Sequence, residues 1–199
     1  STPYDAKGLL ISAVRDNNPV IYVENKAMYH LKGAVPEGDY SVPIGVADVK
    51  REGEDVTIVA ISRMVGLALE AAADLEAQGV SAEVVDPRSL SPLDTRTILD
   101  SVKKTGRLII VDEDHPRCGM ASEIAALAAG EALDYLDGPV ERITPPPVHV
   151  PFSPGMENFY LPGIRRIVEA ALWLARPLQA PARREPAAAY GSPPRKGDG

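Results

Sequence analysis

The chain has 199 residues, 45% of them hydrophobic and 25% charged, a composition that suits one well-filled globular core with appendages. Its formal net charge of -7 argues against a nucleic-acid surface, whose affinity rests on clustered Lys and Arg, and no apolar run approaches the ~20 residues that a membrane-spanning helix requires. The single cysteine, Cys118, excludes an internal disulfide and fits a reducing compartment, so the expected location is cytoplasmic.

In chain order, residues 5–15 place Ala6, Leu9, Leu10, Ala13 and Val14 at helical spacing. Asp16-Asn17-Asn18-Pro19 ends that helix, because proline disfavours a helical residue before it. Val20-Ile21-Tyr22-Val23 reads as a buried strand, and the glycine- and proline-rich stretch 24–55 as a linker between two domains that has room for short strands. From residue 56 strands and helices alternate. Strands are expected at 56–61, 82–86, 107–112 and 140–144. Helices are expected at 64–78, stopped by Gly79, at 95–104, capped by Asp94, at 120–136 and at 164–175. Residues 145–162 read as an extended loop, and 177–199, poor in apolar residues, as a disordered tail.

Alternation of this kind specifies an α/β fold, a mainly parallel sheet with helices on both faces. One helix and one strand ahead of the linker cannot cover a sheet face. Residues 1–24 are therefore expected to be the tail end of a second α/β domain, residues 25–55 a linker and 56–176 the main domain. The competing reading adds Val20-Ile21-Tyr22-Val23 to the edge of the main sheet.

Polar residues cluster after the third expected strand, in Asp112-Glu113-Asp114-His115-Pro116-Arg117-Cys118-Gly119. The carboxyl ends of parallel strands are where such sheets take ligands and partners. His115 and Cys118 invite a nucleophile–base reading, but no oxyanion donor set accompanies them, and an interface contact or a satisfied loop histidine is the plainer role. Glu113 and Asp114 read as an acid–base pair or as acids solvated or paired with Arg117. Arg88, at another strand end, is read as a structural residue forming a bidentate ion pair across an interface, with ligand binding as the other reading. His30, His115 and His149 lack the short spacing of a zinc site.

Several segments taken together resemble one family. They are Tyr4-Asp5-Ala6-Lys7-Gly8-Leu9-Leu10, Asp16-Asn17-Asn18-Pro19-Val20, Val23-Glu24, Val84-Val85-Asp86-Pro87-Arg88-Ser89-Leu90-Ser91-Pro92-Leu93-Asp94, Lys104-Thr105-Gly106-Arg107, Ala121-Ser122-Glu123-Ile124 and Phe159-Tyr160-Leu161-Pro162. In this order they are similar to the beta subunit of the thiamine-diphosphate-dependent decarboxylating component of 2-oxoacid dehydrogenase complexes, the family of pyruvate, branched-chain 2-oxoacid and acetoin dehydrogenases. The run from Asp112 to Cys118, with Pro151-Phe152-Ser153-Pro154, most resembles the acetoin branch.

The resemblance implies a transketolase-type carboxyl-terminal domain preceded by the end of a pyrimidine-binding-type domain. It implies an alpha subunit, another beta subunit and an acyltransferase component as partners, with no nucleic acid and no membrane. The intact enzyme would pass an acyl group to lipoyl-lysine, in the mitochondrial matrix if eukaryotic. It implies thiamine diphosphate and magnesium held mainly by the alpha subunit and upstream polypeptide, so that no residue here is catalytic or cofactor-binding and the chain alone is inactive. It also implies a structural potassium ion at Ala13, Val14, Asp16 and Asn18, against which a simple helix stop is the other reading. Beyond the resemblance, a non-catalytic interaction module or small-ligand domain remains the alternative.

Overall fold

The computed structural model describes residues 1–176. Five strands form one sheet: β1 (Asp48–Arg51), β2 (Val56–Ala60), β3 (Ala82–Asp86), β4 (Leu108–Val111) and β5 (Glu141–Ile143), in the order β1-β3-β2-β4-β5. β3, β2, β4 and β5 run parallel, with Ile58 opposite Val84 on one side and Ile109 on the other. β1 closes one edge antiparallel to β3, pairing Asp48 with Asp86 and Val49 with Val85. The mainly parallel α/β expectation is met. β1 lies inside the stretch read as a linker.

The helices are α1 (Pro3–Arg15), α2 (Met64–Glu76), α3 (Thr95–Thr105), α4 (Met120–Glu131), α5 (Pro154–Tyr160) and α6 (Ile164–Leu174). Successive side chains of a strand point to opposite faces, so each central strand fills two cores at once. Ile58, Val84, Ile109 and Val111 pack with Leu75 of α2 and Ile167 and Leu174 of α6. Val59, Val85, Leu108 and Ile110 pack on the other face with Ile98 and Val102 of α3 and Ile124 and Ala128 of α4. Double coverage explains why β2 and β4 read as nearly unbroken apolar runs and why every residue of β3, Glu83 and Asp86 included, is buried. Each fully buried Val, Leu or Ile contributes about 1.5–3 kcal/mol relative to exposure.

Local chemistry sets the element ends. Asp94 accepts the Thr97 N–H at 3.0 Å and caps α3, while Gly106 ends it at φ +68, the left-handed region that favours glycine. In the layer under α3, Thr57 donates to the Ser101 carbonyl at 3.0 Å, which satisfies the one hydroxyl in β2.

Three local expectations are corrected. Residues 20–23 form no strand: Ile21 is 91% exposed and Val23 85%, and neither joins the sheet edge. A β-branched apolar run gives the strand signal, but nothing in the described chain offers it a ladder. The expected loop 145–162 contains α5, whose Pro154 occupies the first turn, where its missing N–H costs nothing. The expected helix 120–136 ends as α4 at Glu131, and Leu133–Tyr135 form a separate 3₁₀ turn. The tail expected at 177–199 lies outside the described residues.

Candidate functional site

The carboxyl ends of β2, β3 and β4 each run into a non-glycine residue with positive φ: Ser62 at 55, Arg88 at 57 and Cys118 at 58. Left-handed backbone at such residues is uncommon and costs on the order of 1 kcal/mol or more, and it concentrates at functional edges. Two charged clusters flank this edge.

The first cluster fastens α1 to the β1–β3 edge. Thr2 caps α1 by accepting the Asp5 N–H at 3.1 Å. Asp5 is fully buried; its carboxylate accepts from Lys50 Nζ at 2.7 Å and from the Thr2 hydroxyl at 2.6 Å, and meets Arg88 Nη1 at 3.4 Å. Lys50 also reaches Asp48 at 2.6 Å and Asp86 at 3.9 Å. Burial alone would push the Asp5 carboxyl up, but Lys50, Thr2 and the neighbouring positive charge outweigh it and hold it below the usual carboxylate range. Arg88 keeps its strained backbone because its N–H meets Asp86 Oδ1 at 3.0 Å and its guanidinium meets the carbonyls of Val46 and Ala47 at 3.0 and 3.2 Å. Arg88 is thus an ion-pair partner within the chain, to Asp5 and Asp48, where the sequence suggested a pair across an interface.

The second cluster lies beyond β4. Asp112 is buried, and its carboxylate accepts backbone N–H groups from Asp114, Glu113 and Ala121, fixing the loop and the start of α4. Burial and the Asp114 charge push its carboxyl up against those hydrogen bonds. Glu113, half-buried, accepts from the Asn25 side-chain amide at 2.5 Å. Burial pushes its carboxyl up; Arg63 and Asn25 oppose this, and Asp112 and Glu157 add to it, leaving the net direction upward. The basic neighbour of Glu113 is therefore Arg63, after β2, rather than Arg117.

His115 and Cys118 are both exposed, and no hydrogen bond joins them among the described residues. The loop is braced instead by Arg142, which donates to the Pro116 carbonyl at 2.9 Å and to Ser122 at 2.7 Å. Sequence reading missed Asn25, Arg63 and Lys50, since each acts on a residue remote along the chain.

Among the described residues, no group of three or more His, Cys, Asp or Glu side chains is placed to hold a metal ion. Ala13, Val14, Asp16 and Asn18 come together at the end of α1, where the Asp16 N–H meets the Ser12 carbonyl at 3.1 Å and Asp16 Oδ1 accepts from the Asn18 N–H at 2.8 Å. The last-turn carbonyls are of the class that hard cations prefer, but the turn is open to solvent and Asp16 is already engaged.

The family model for the transketolase C-terminal domain matches residues 45–167. The chain belongs to the transketolase C-terminal domain family. It is 55% identical over 174 residues to the beta subunit of acetoin:2,6-dichlorophenolindophenol oxidoreductase from Bacillus subtilis, covering 87% of this chain and 51% of that protein. It is 47% identical over 172 residues to the beta subunit of the pyruvate dehydrogenase E1 component of the same organism, covering 86% and 53%. A solved split-gene transketolase, described as an inactive beta4 tetramer, matches with TM-score 0.61 and 32% identity over 72% of this chain and 45% of that one. The chain spans about half the length of the curated relatives it matches.

Other surfaces of this family member carry unpaired apolar side chains. Phe152 and Phe159 are 103% and 93% exposed, with Val150 and Met156 also exposed beside them in the α5 region. Val14 and Leu10 are exposed along α1.

Proposed function

We propose that this chain acts as the carboxyl-terminal part of the beta subunit of a thiamine-diphosphate-dependent acetoin or 2-oxoacid dehydrogenase, with assembly as its task. In this reading residues 56–176 are the transketolase-type domain, 25–55 connect it to a pyrimidine-binding-type domain, and 1–24 end that domain. The partners are an alpha subunit, a second beta subunit and an acyltransferase component, and the location is cytoplasmic or, in a eukaryote, the mitochondrial matrix.

The structural observation that carries the proposal is the exposure of four large apolar side chains in and just before α5: Val150, Phe152, Met156 and Phe159. Large apolar side chains left exposed, two of them almost completely, mark an interaction surface. The 55% identity to an acetoin oxidoreductase beta subunit supports the choice of branch. The tetrameric relative supports contact between beta chains. Thiamine diphosphate, when bound in the assembled enzyme, supplies the carbanion chemistry. The residues of this chain shape and present the surfaces around it. Potassium at Ala13, Val14, Asp16 and Asn18 belongs to the same proposal, with the open turn closed by neighbouring polypeptide.

Mixing experiments test the proposal. The chain alone should show no micromolar calorimetric binding of thiamine diphosphate with magnesium. Combined with an alpha subunit and the amino-terminal half of a beta subunit, it should restore thiamine-diphosphate-dependent reduction of 2,6-dichlorophenolindophenol by acetoin. Specific cofactor binding by the chain alone, or no activity on mixing, would overturn it.

A further inference from the structure

Residues 16–35 make an excursion between the end of α1 and Pro36. Its base is held on both sides. Lys7 Nζ donates to the carbonyls of Pro36 and Gly38 at 2.8 and 2.7 Å, the Tyr22 hydroxyl donates to the Ala6 carbonyl at 2.8 Å, and a side chain at Gly33 would approach the Pro3 ring to 3.3 Å. The excursion does not stay at this base. Its 3₁₀ turn, Lys26–Met28, reaches the far side of the carboxyl edge.

There two contacts hold it. The Asn25 amide donates to Glu113 after β4, and Ser62 after β2 donates to Met28 Sδ at 3.8 Å. Asn25 is fixed for this task, since its other side-chain atom, Oδ1, accepts the Ala27 N–H at 3.0 Å and caps the turn. Both receiving residues sit where parallel strands end, beside Arg63. The outer side of the excursion is apolar, with Ile21, Val23 and Tyr29 exposed.

We infer that residues 24–31 are a strap latched across the carboxyl edge of β2 and β4, with the Asn25–Glu113 hydrogen bond as the latch. Closed, the strap shields Ser62 and Glu113 and fixes the excursion in one conformation that presents Ile21 and Val23 outward. Open, it uncovers the edge at which α/β sheets accept ligands. The latch joins two residues that the chain separates widely, so it sets the position of a segment with few other restraints. Of the groups that face Glu113, the strap supplies Asn25, while Arg63, Asp112 and Glu157 belong to the rest of the fold. The inference concerns this chain's own conformation and stands apart from the assignment of its partners.

Amide hydrogen exchange on the 199-residue chain reads the latch directly. The N–H groups of Met28, Tyr29 and Leu31 donate to carbonyls within the strap, at 3.0, 3.2 and 2.9 Å, and report its closure. Glu113→Ala should speed their exchange roughly tenfold, the loss expected for a hydrogen bond to an ionisable side chain, while amides of β2 and β4 keep their rates. Asn25→Ser keeps an oxygen cap for the turn but loses the amide donor, and should give the same acceleration if Glu113→Ala folds poorly. Glu113→Gln keeps an acceptor for Asn25 and should leave strap exchange within about twofold of the parent. Unchanged rates in both disrupting variants, equal acceleration of the sheet amides, or a Gln variant as fast as the Ala variant would each overturn the inference.

Discussion

The two charged clusters beside the carboxyl edge use the same side-chain types to opposite ends. At the β1–β3 edge Asp5 is surrounded by Lys50, Thr2 and Arg88, and its carboxyl is held low in spite of burial. Beyond β4, Asp112 and Glu113 sit against each other with burial dominant, and both carboxyls are pushed up. A lowered acid adds stability to the folded chain when it is ionised; a raised one subtracts it. The first cluster is therefore a fastener. The second is a place where the fold tolerates a cost, with Asp112 offsetting part of it by holding the backbone N–H groups of the loop and the start of α4.

The largest expected effect follows from breaking the fastener. Asp5→Ala leaves Lys50 and Arg88, whose side chains are 12% and 10% exposed, without their shared carboxylate. Removing one partner of a buried network costs up to about 3–5 kcal/mol, moderated here because Asp48 still meets Lys50 at 2.6 Å and Arg88 at 3.9 Å. A urea titration should show that loss in the midpoint. A change under about 1 kcal/mol would mean that α1 contributes little and that the contrast between the clusters fails.

Gly8→Ala tests the same docking through shape alone. A Cβ at Gly8 would stand 2.4 Å from Val42 Cγ2 and 3.0 Å from the Tyr40 ring, so α1 could no longer lie against the 40–42 segment. Overpacking of this kind costs about 1–3 kcal/mol. Thermal unfolding should show it, with the loss smaller than for Asp5→Ala. A variant as stable as the parent would show that the helix can shift freely.

How much of this contrast was legible in the chain depends on distance. β2, β3 and β4 stood out because each packs two helical layers and so is rich in β-branched and other apolar residues, interrupted only by Thr57 in β2 and by Glu83 and Asp86 in β3. α3 stood out because Asp94 and Gly106 mark its ends. β1 did not, since Asp48-Val49-Lys50-Arg51 spends its side chains on ion pairs at an edge. The run 20–23 misled because β-branched residues signal a strand whether or not a neighbouring strand exists to pair with it. α5 could have been found from Ser153-Pro154, a serine before a first-turn proline. Neither cluster could have been assembled from local pattern, because Asp5 meets Lys50 and Arg88, and Asn25 meets Glu113, only through the tertiary fold. What sequence did mark was the chemistry-rich turn after β4, though it offered Arg117 as partner where the structure supplies Arg63.

The smallest effect is also the sharpest on sign. Glu113→Gln removes a half-buried charge while keeping an acceptor for Asn25, so it should stabilise the chain, by on the order of 0.5 kcal/mol given solvent screening at this partly exposed site. The gain should depend on pH in one direction. Below the ordinary glutamate value of about 4.3, the acid is protonated in both folded and unfolded chains, and the difference between parent and variant is constant. As pH rises from there through the raised folded-state value, the unfolded chain releases its proton first and the parent loses stability relative to the variant. Above the raised value the gap is constant again. Asp5→Asn should behave in mirror image, its deficit shrinking as pH falls through the lowered Asp5 value, because the parent then loses what the variant already lacks. Denaturation midpoints of parent, Glu113→Gln and Asp5→Asn measured from pH 3 to 7 would show two difference curves that open in opposite senses. Curves opening in the same sense would erase the distinction between a cluster that fastens the fold and one that the fold carries at a cost.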